Sequence, residues 1–290
     1  MKLYVIGNGF DRAHGIESGY DDFEKFMSSR YGYEMNLIGP LFDNSRIDLW
    51  ADFENALGQI DPNTVVWSVE AEARINEPEE LGRQSNFMVD TVAQACDTLQ
   101  GVFESCFAEW IEKIDITDTE AFLAMDSHAR YLTFNYTETL EEVYGIPECQ
   151  VLHIHNCRRD AAPIVGHGSS ECIPFTGGDW IATDEISDSI RHIFSTTRKD
   201  VKRYIRENEP FFRSLGNIDE VYVYGHSLND IDLPYFQEIV KHIDPGASWT
   251  VSYYDNAERK KFEDRLYNIL HISTARVRMV TLDDPSLHLL

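Results

Sequence analysis

Six short β-rich runs separated by long helical stretches restrict this chain more than any other feature. The runs are Lys2–Ile6, Arg130–Thr133, Val151–His155, Val221–Tyr224, Trp249–Tyr254 and a weaker one at Arg276–Thr281. Strands joined through helices lie parallel, because a parallel neighbour is reached only by a long crossover. The predicted fold is therefore α/β, a Rossmann-like open parallel sheet covered by helices, forming one domain over 1–290 with a mostly helical segment inserted over 45–128. In that segment Val89, Val92, Cys96, Leu99, Val102, Phe103, Cys106, Trp110 and Ile114 recur at steps of three and four, which predicts one amphipathic helix over Ser85–Ile114. Ile186, Ile190, Ile193, Phe194, Val201, Tyr204 and Ile205 predict a second, Asp184–Asn208, after a loop at Gly177–Thr183. Tyr235–Ile243, opened by Pro234, and Ala257–Leu270, preceded by the turn-like Asp255-Asn256, read as the last covering helices.

Open parallel sheets bind ligands beyond the carboxyl ends of their strands, so the residues that follow each strand carry the functional reading. After the first strand stands Gly7-Asn8-Gly9-Phe10-Asp11. Such a strand–glycine–helix turn can offer backbone amides to an anion. The next glycine, Gly15, falls too late for the dinucleotide fingerprint G-x-G-x-x-G. The plain alternative is a turn whose glycines take positive φ and whose Asp11 caps the helix. After the next strands stand Thr133-Phe134-Asn135-Tyr136-Thr137, His153-Ile154-His155-Asn156 and Gly225-His226-Ser227-Leu228-Asn229-Asp230. An asparagine amide both donates and accepts, and an imidazole takes a proton near neutral pH, so these residues suit a site that orients a water or a sugar hydroxyl. Each also has an ordinary reading, Asn135 as a turn cap and His153 or His155 as a hydrogen-bonded core histidine. His167, between Gly166 and Gly168, is a further candidate, as are the carboxylates Asp52 and Glu54, which equally suit a helix start.

Charge and spacing exclude several functions. Twenty-five Lys and Arg against 50 Asp and Glu give a net charge of −25, which repels phosphate backbones and anionic membrane surfaces and disfavours nucleic acid as a partner. The exception is Arg191–Arg206, where Arg191, Arg198, Lys199, Lys202, Arg203 and Arg206 crowd the outer face of the predicted helix. That face reads as solvated or as a contact for a partner. Five cysteines without a C-x-x-C pair indicate neither a zinc ribbon nor a disulfide framework, and no H-E-x-x-H occurs, so no metal is expected. No apolar stretch approaches a membrane span, and no leader is visible, which makes the cytoplasm the expected compartment.

Taken together, Gly7–Asp11 with Gly15-Ile16 and Tyr20-Asp21-Asp22-Phe23, the Trp50–Glu54 block, Thr133–Leu140, Leu152–Asn156, Ile164–Gly168 and Tyr224–Tyr235 resemble the AbiH family of bacteriophage abortive-infection proteins. The resemblance is weakest between about Asn55 and His128. Members of that family in turn resemble sirtuin-like NAD-binding proteins, and the order of motifs carries the likeness. Gly7–Asp11 sits where sirtuins have Gly-Ala-Gly-Ile-Ser, and Gly15-Ile16 through Asp22-Phe23 resembles Gly-Ile-Pro-Asp-Phe. Thr133–Thr137 resembles Thr-Gln-Asn-Ile-Asp, and Gly225-His226-Ser227-Leu228 resembles Gly-Thr-Ser-Leu.

The resemblance implies a sirtuin-like NAD-binding core in which Asn135 and His155 are catalytic, with His153 as the alternative base. Gly7, Asn8, Gly9, Phe10, Asp11, Asp22, Phe23, Gly225, His226 and Ser227 would border NAD. Thr137 stands in place of the motif's Asp and Asn156 in place of the Gly after the histidine, and the cysteine-paired zinc ribbon of a deacylase is missing. The implied chemistry is therefore hydrolysis of NAD to nicotinamide and ADP-ribose, with NAD as substrate and no metal. Unrestrained NAD loss would poison a host, so gating by a homo-oligomer or a companion defence protein is expected. The alternative is a non-catalytic subunit that binds NAD, ADP-ribose or a signal nucleotide.

Overall fold

The computed structural model describes residues 1–42, 49–50, 52–64, 81–176 and 183–288. They form two compact units, one of Met1–Gly19, Ile111–Ile164 and Asp200–Leu290, the other of Tyr20–Trp110 and Val165–Lys199. The first unit holds the sheet. Its strands are β1 (Lys2–Ile6), β2 (Arg130–Thr133), β3 (Val151–His153), β4 (Glu220–Tyr224), β5 (Ser248–Ser252) and β6 (Val277–Val280). They pair in the order β3-β2-β1-β4-β5-β6, and every pair is parallel. The chain direction across the sheet reverses between β1 and β4, the position at which such sheets open a crevice at their carboxyl edge.

Alternation along β1 divides the core into two layers. Leu3 and Val5 join Leu132, Val221, Val223, Trp249 and Val251 under Phe212, Tyr235, Phe236 and Phe262. Tyr4 and Ile6 face the other way, with Tyr131, Tyr224, Phe10 and Leu287. Register places Tyr4 opposite both Tyr131 and Tyr222, and the rings stack at centroid distances of 5.0 and 4.8 Å. Each buried ring or aliphatic side chain contributes about 1.5–3 kcal/mol, so the sheet is a rigid platform for whatever lies on its carboxyl edge.

β3 and β5 stop two residues short of their predicted ends, and β6 one. β3 ends at His153 because the Asn156 amide turns back onto the His153 carbonyl at 3.2 Å, with Asn156 at φ 67°. β5 ends at Ser252, where Asp255 caps helix Asn256–Asp264 by accepting from the Ala257 and Glu258 amides.

In the second unit the helical run predicted from Ser85 comprises helix Leu81–Gly101, a wide π turn at Val102–Cys106 and helix Phe107–Glu112, whose last residues pass into the first unit. The single helix predicted over Asp184–Asn208 is instead two, Thr183–Thr196 and Val201–Glu207. Between them the Thr197 carbonyl accepts from the His167 amide and the Lys199 amide donates to the His167 carbonyl, at 3.0 and 2.9 Å. The Lys199 side chain, predicted on an outer basic face, is 0 % exposed and pairs with Glu54 at 2.6 Å. A buried ammonium needs a partner charge, and that requirement turns the segment inward. Residues 177–182 of the predicted loop lie outside the described residues.

Candidate functional site

Helix α1 (Asn8–Ala13) begins directly at the end of β1. Neither Gly7 nor Gly9 takes a positive φ, and Asp11 is not the cap; Gly7 holds that position without a side-chain bond. The glycines are required by space. A Cβ on Gly7 would stand 2.5 Å from the His226 Cα, and one on Gly9 would stand 2.9 Å from the Gly225 Cα. Gly225, at φ 64°, could carry a Cβ only 1.9 Å from the Phe10 nitrogen. The two turns are thus pressed together. The amides of Gly7, Gly9 and Phe10 donate to the carbonyls of Tyr224, Gly225 and Gly7 at 3.0, 2.7 and 2.9 Å, so they are already engaged within the protein.

This packing sends the Asp11 side chain under the sheet edge, where it is 0 % exposed. Its Oδ2 accepts from the Thr137 hydroxyl at 2.5 Å, and its Oδ1 has no hydrogen-bond partner among the described residues. Burial pushes its carboxyl above the usual carboxylate range, against the opposing pull of the Thr137 and Thr139 hydroxyls and the Asn135 side chain. Thr137 therefore has a physical reason to depart from the expected Asp: a second carboxylate here would repel Asp11, whereas a hydroxyl donates to it.

Asn135 stands at the end of β2, 6 % exposed, its amide donating to the Thr133 hydroxyl at 3.1 Å and its Oδ1 also without a hydrogen-bond partner among the described residues. His153, in β3, is bonded at both ring nitrogens, Nδ1 to the Asn135 carbonyl at 3.0 Å and Nε2 to Glu141 Oε1 at 2.9 Å. Desolvation would lower its pKa, but the hydrogen bond and charge of Glu141 with the Asn135 carbonyl outweigh that, and the net direction is up. Glu141, which strand-end reading does not reach, is thus what holds His153.

His155 and His226 flank one carboxylate. Asp232 Oδ1 lies 3.9 Å from His155 Nε2, and Oδ2 lies 3.8 Å from His226 Nε2. His226 Nδ1 accepts from the Leu228 amide at 3.0 Å, which leaves the proton on the nitrogen facing Asp232. The Phe134 ring packs edge-on against both imidazoles, at 5.1 and 4.3 Å. Asp232 has no signal of its own in the sequence; it sits two residues before Pro234, where it reads as a helix start. Asn156, in the left-handed region that Gly or Asn tolerates, donates its side chain to the Ala162 carbonyl at 2.8 Å. Ser227 is exposed, and Asn8 exchanges side-chain hydrogen bonds with Ser18.

A cleft of about 750 Å³ opens on the β4–β6 half of the same edge, bordered by Gly9, Arg12 and Gly225 and by the residues that follow β5 and β6. Helix α1 therefore turns Asp11 to the buried cluster and Arg12 to the cleft.

The remaining candidates belong to the second unit. Asp22 accepts from Lys25 at 2.7 Å, and Phe23 is fully buried, its ring against Phe53, Phe107 and Trp110. Asp52 caps helix Phe53–Leu57 through the Asn55 amide, and Glu54 accepts from the Gly166 amide as well as Lys199. His167 is buried and bonded at both ring nitrogens, to the Phe194 carbonyl and the Ser169 amide, and desolvation lowers its pKa. Cys96, Cys106 and Cys157 are buried thiols, Cys149 is exposed and Cys172 partly so. Among the described residues no group of three His, Cys, Asp or Glu side chains could hold a metal ion, and no helix is long and apolar enough to cross a membrane.

A family model described as bacteriophage abortive infection AbiH matches residues 3–253. No curated protein matches the chain.

Proposed function

Because the chain belongs to the bacteriophage abortive infection AbiH family, we propose that it serves that defence by binding NAD and hydrolysing the bond between nicotinamide and ribose. The observation that carries this reading is the pair of buried oxygens, Asp11 Oδ1 and Asn135 Oδ1, that lack a hydrogen-bond partner among the described residues. Buried acceptors without donors are costly, about 1–3 kcal/mol each. Their setting at the carboxyl edge of a parallel sheet, beside paired histidines, suits a ligand that brings hydroxyl donors, as a ribose does.

In the proposed reaction the C1′–N1 bond breaks and its electron pair neutralises the nicotinamide ring nitrogen. Water adds to C1′, and His155, with the Asp232 carboxylate 3.9 Å from its Nε2 to face the charge it gains, takes the water proton and returns it to solvent. Asn135 positions the water or a ribose hydroxyl, and Asp11, when ionised, faces the positive charge that develops on the sugar. The leaving group is already cationic, so positioning and fixed charge supply the catalysis. Arg12 rather than the engaged Gly9 amide supplies the positive charge for the phosphates. The buried state of the cluster, with His155 at 3 % exposure, fits an enzyme that a second copy or a companion protein must open.

The test is nicotinamide release from NAD by the purified chain, alone and with lysate of phage-infected cells as source of the trigger. Release by wild type that falls at least a hundredfold in Asn135→Ala and in His155→Ala supports the reading. Release unchanged in both variants overturns the assignment. Calorimetric NAD binding without product under either condition makes the chain a nucleotide-binding subunit.

A further inference from the structure

Both ring nitrogens of His153 face acceptors, and a neutral imidazole has only one proton for two such bonds. Nδ1 meets the Asn135 carbonyl at 3.0 Å, an oxygen that can only accept, and Nε2 meets Glu141 Oε1 at 2.9 Å. The Nδ1 proton is therefore fixed, and the second proton lies either on Nε2 or on the Glu141 carboxyl. The free groups differ by about two pKa units, so the imidazole is preferred by roughly a hundredfold before the surroundings act. The surroundings favour the same side. Both side chains are largely buried, so desolvation weighs on the two alike. Glu138, ahead of the same helical turn, adds negative charge toward His153, while the Arg159 guanidinium, between Glu138 and Glu142, adds positive charge toward Glu141. From α1, Asp11 faces the imidazole as well. Asp11 is wholly buried, its hydrogen-bonding support from Thr137, Thr139 and Asn135 carries no charge, and a buried carboxylate stays ionised at little cost only beside a cation.

We propose that His153 is a permanent imidazolium and a positioning residue: its Nδ1–H grips the Asn135 main chain beyond β2, and its charge keeps Asp11 ionised. The register that sets Thr133 opposite His153 gives the ring this reach, two residues past the paired position. With both nitrogens donating, His153 has no lone pair to accept a proton, which leaves the role of base to His155. The use of the Asp11 charge, to face the cation that develops on the sugar, rests on the proposed NAD hydrolysis; the charge on His153 does not.

NMR of the full chain, ¹⁵N-labelled at histidine, ¹³C-labelled at aspartate and assigned through the backbone, tests this. At pH 7 both ring nitrogens of wild-type His153 should carry protons. Glu141→Gln keeps the shape, since its amide donates to a bare Nε2, and should leave His153 protonated at Nδ1 alone while the proton affinity of Asp11 rises at least threefold. A bare Nε2 in wild type, or an Asp11 that titrates identically in Glu141→Gln, overturns the proposal. The wild-type ring protons need no variant, so this arm stands should Glu141→Gln not accumulate. Kinetics then separate charge from packing. Glu141→Gln should lower kcat for nicotinamide release at least tenfold with KM within twofold, but cost less than threefold when added to Asp11→Asn, where the charge has nothing left to act on; equal losses in the two backgrounds would overturn the action through Asp11. Doubly protonated His153 in a chain that releases no nicotinamide removes the hydrolase and keeps the fixed cation; release by wild type with Nε2 bare does the reverse.

Discussion

Desolvation and partner charge set the protonation of the groups at the sheet edge, and His153 shows which prevails. Burial alone would strip its proton, yet Glu141 at 2.9 Å reverses the direction and raises its pKa. A histidine whose folded pKa exceeds its unfolded value, about 6.5, adds stability that is complete below the unfolded pKa and is lost as pH rises through the folded one. Glu141→Gln removes the charge that raises it and leaves desolvation in command, so the sign inverts: this variant should gain stability on going from pH 5 to pH 8 relative to wild type. Urea midpoints measured across that range check the sign; parallel curves for the two proteins would show that Glu141 does not control His153. Residue identities at strand ends were readable from the chain itself, as Asn135, His153, His155 and His226 all stand at the buried edge. Their partners were not. Glu141 lies in a helical turn before β3 and Asp232 at the start of the helix after β4; neither stands at a strand end, and only tertiary packing brings an acid to a given imidazole.

At the scale of elements, the turn after β1 and the turn after β4 are one packed unit. Gly225 holds them together: its φ of 64° is costly for any side chain, and a Cβ would fall 1.9 Å from the Phe10 nitrogen. Gly225→Ala should therefore cost at least about 3 kcal/mol, the sum of backbone strain and overpacking, seen as a lower urea midpoint or as failure to accumulate soluble protein. Stability within about 0.5 kcal/mol of wild type would mean that the turns are free to separate. The same contact explains why the glycine motif was half legible. Its place between strand and helix follows from sequence, but whether its amides face a ligand or a neighbouring carbonyl depends on the approach of a turn more than two hundred residues away. Periodicity likewise marks the apolar stripe from Ile186 to Ile205, yet it cannot show the break at residues 197–200, which the burial of Lys199 against Glu54 imposes. The strand-end reading covers the first four strands and so does not reach Tyr254, Glu258 and Asp283, which border the cleft beyond β5 and β6.

On the scale of the whole molecule, a chain carrying −25 repels anions at long range, but mobile ions screen that field within ~8 Å at physiological salt. Recognition of a phosphate-bearing ligand then depends on local groups, and Arg12 stands at the centre of the carboxyl edge. The six-stranded parallel sheet was legible because its strands are short, β-rich and separated by helical pattern; the division into two units was not, since contacts rather than composition define it. Membership of an abortive-infection family and a buried cluster short of hydroxyl donors meet in one claim, that NAD is destroyed when phage is sensed. Mass spectrometry of nucleotides in phage-challenged bacterial cells that the chain protects tests it most directly. NAD should fall at least tenfold while nicotinamide and ADP-ribose rise together, and both the change and the protection should vanish in Asn135→Ala; protection by the wild-type chain with NAD intact would contradict it.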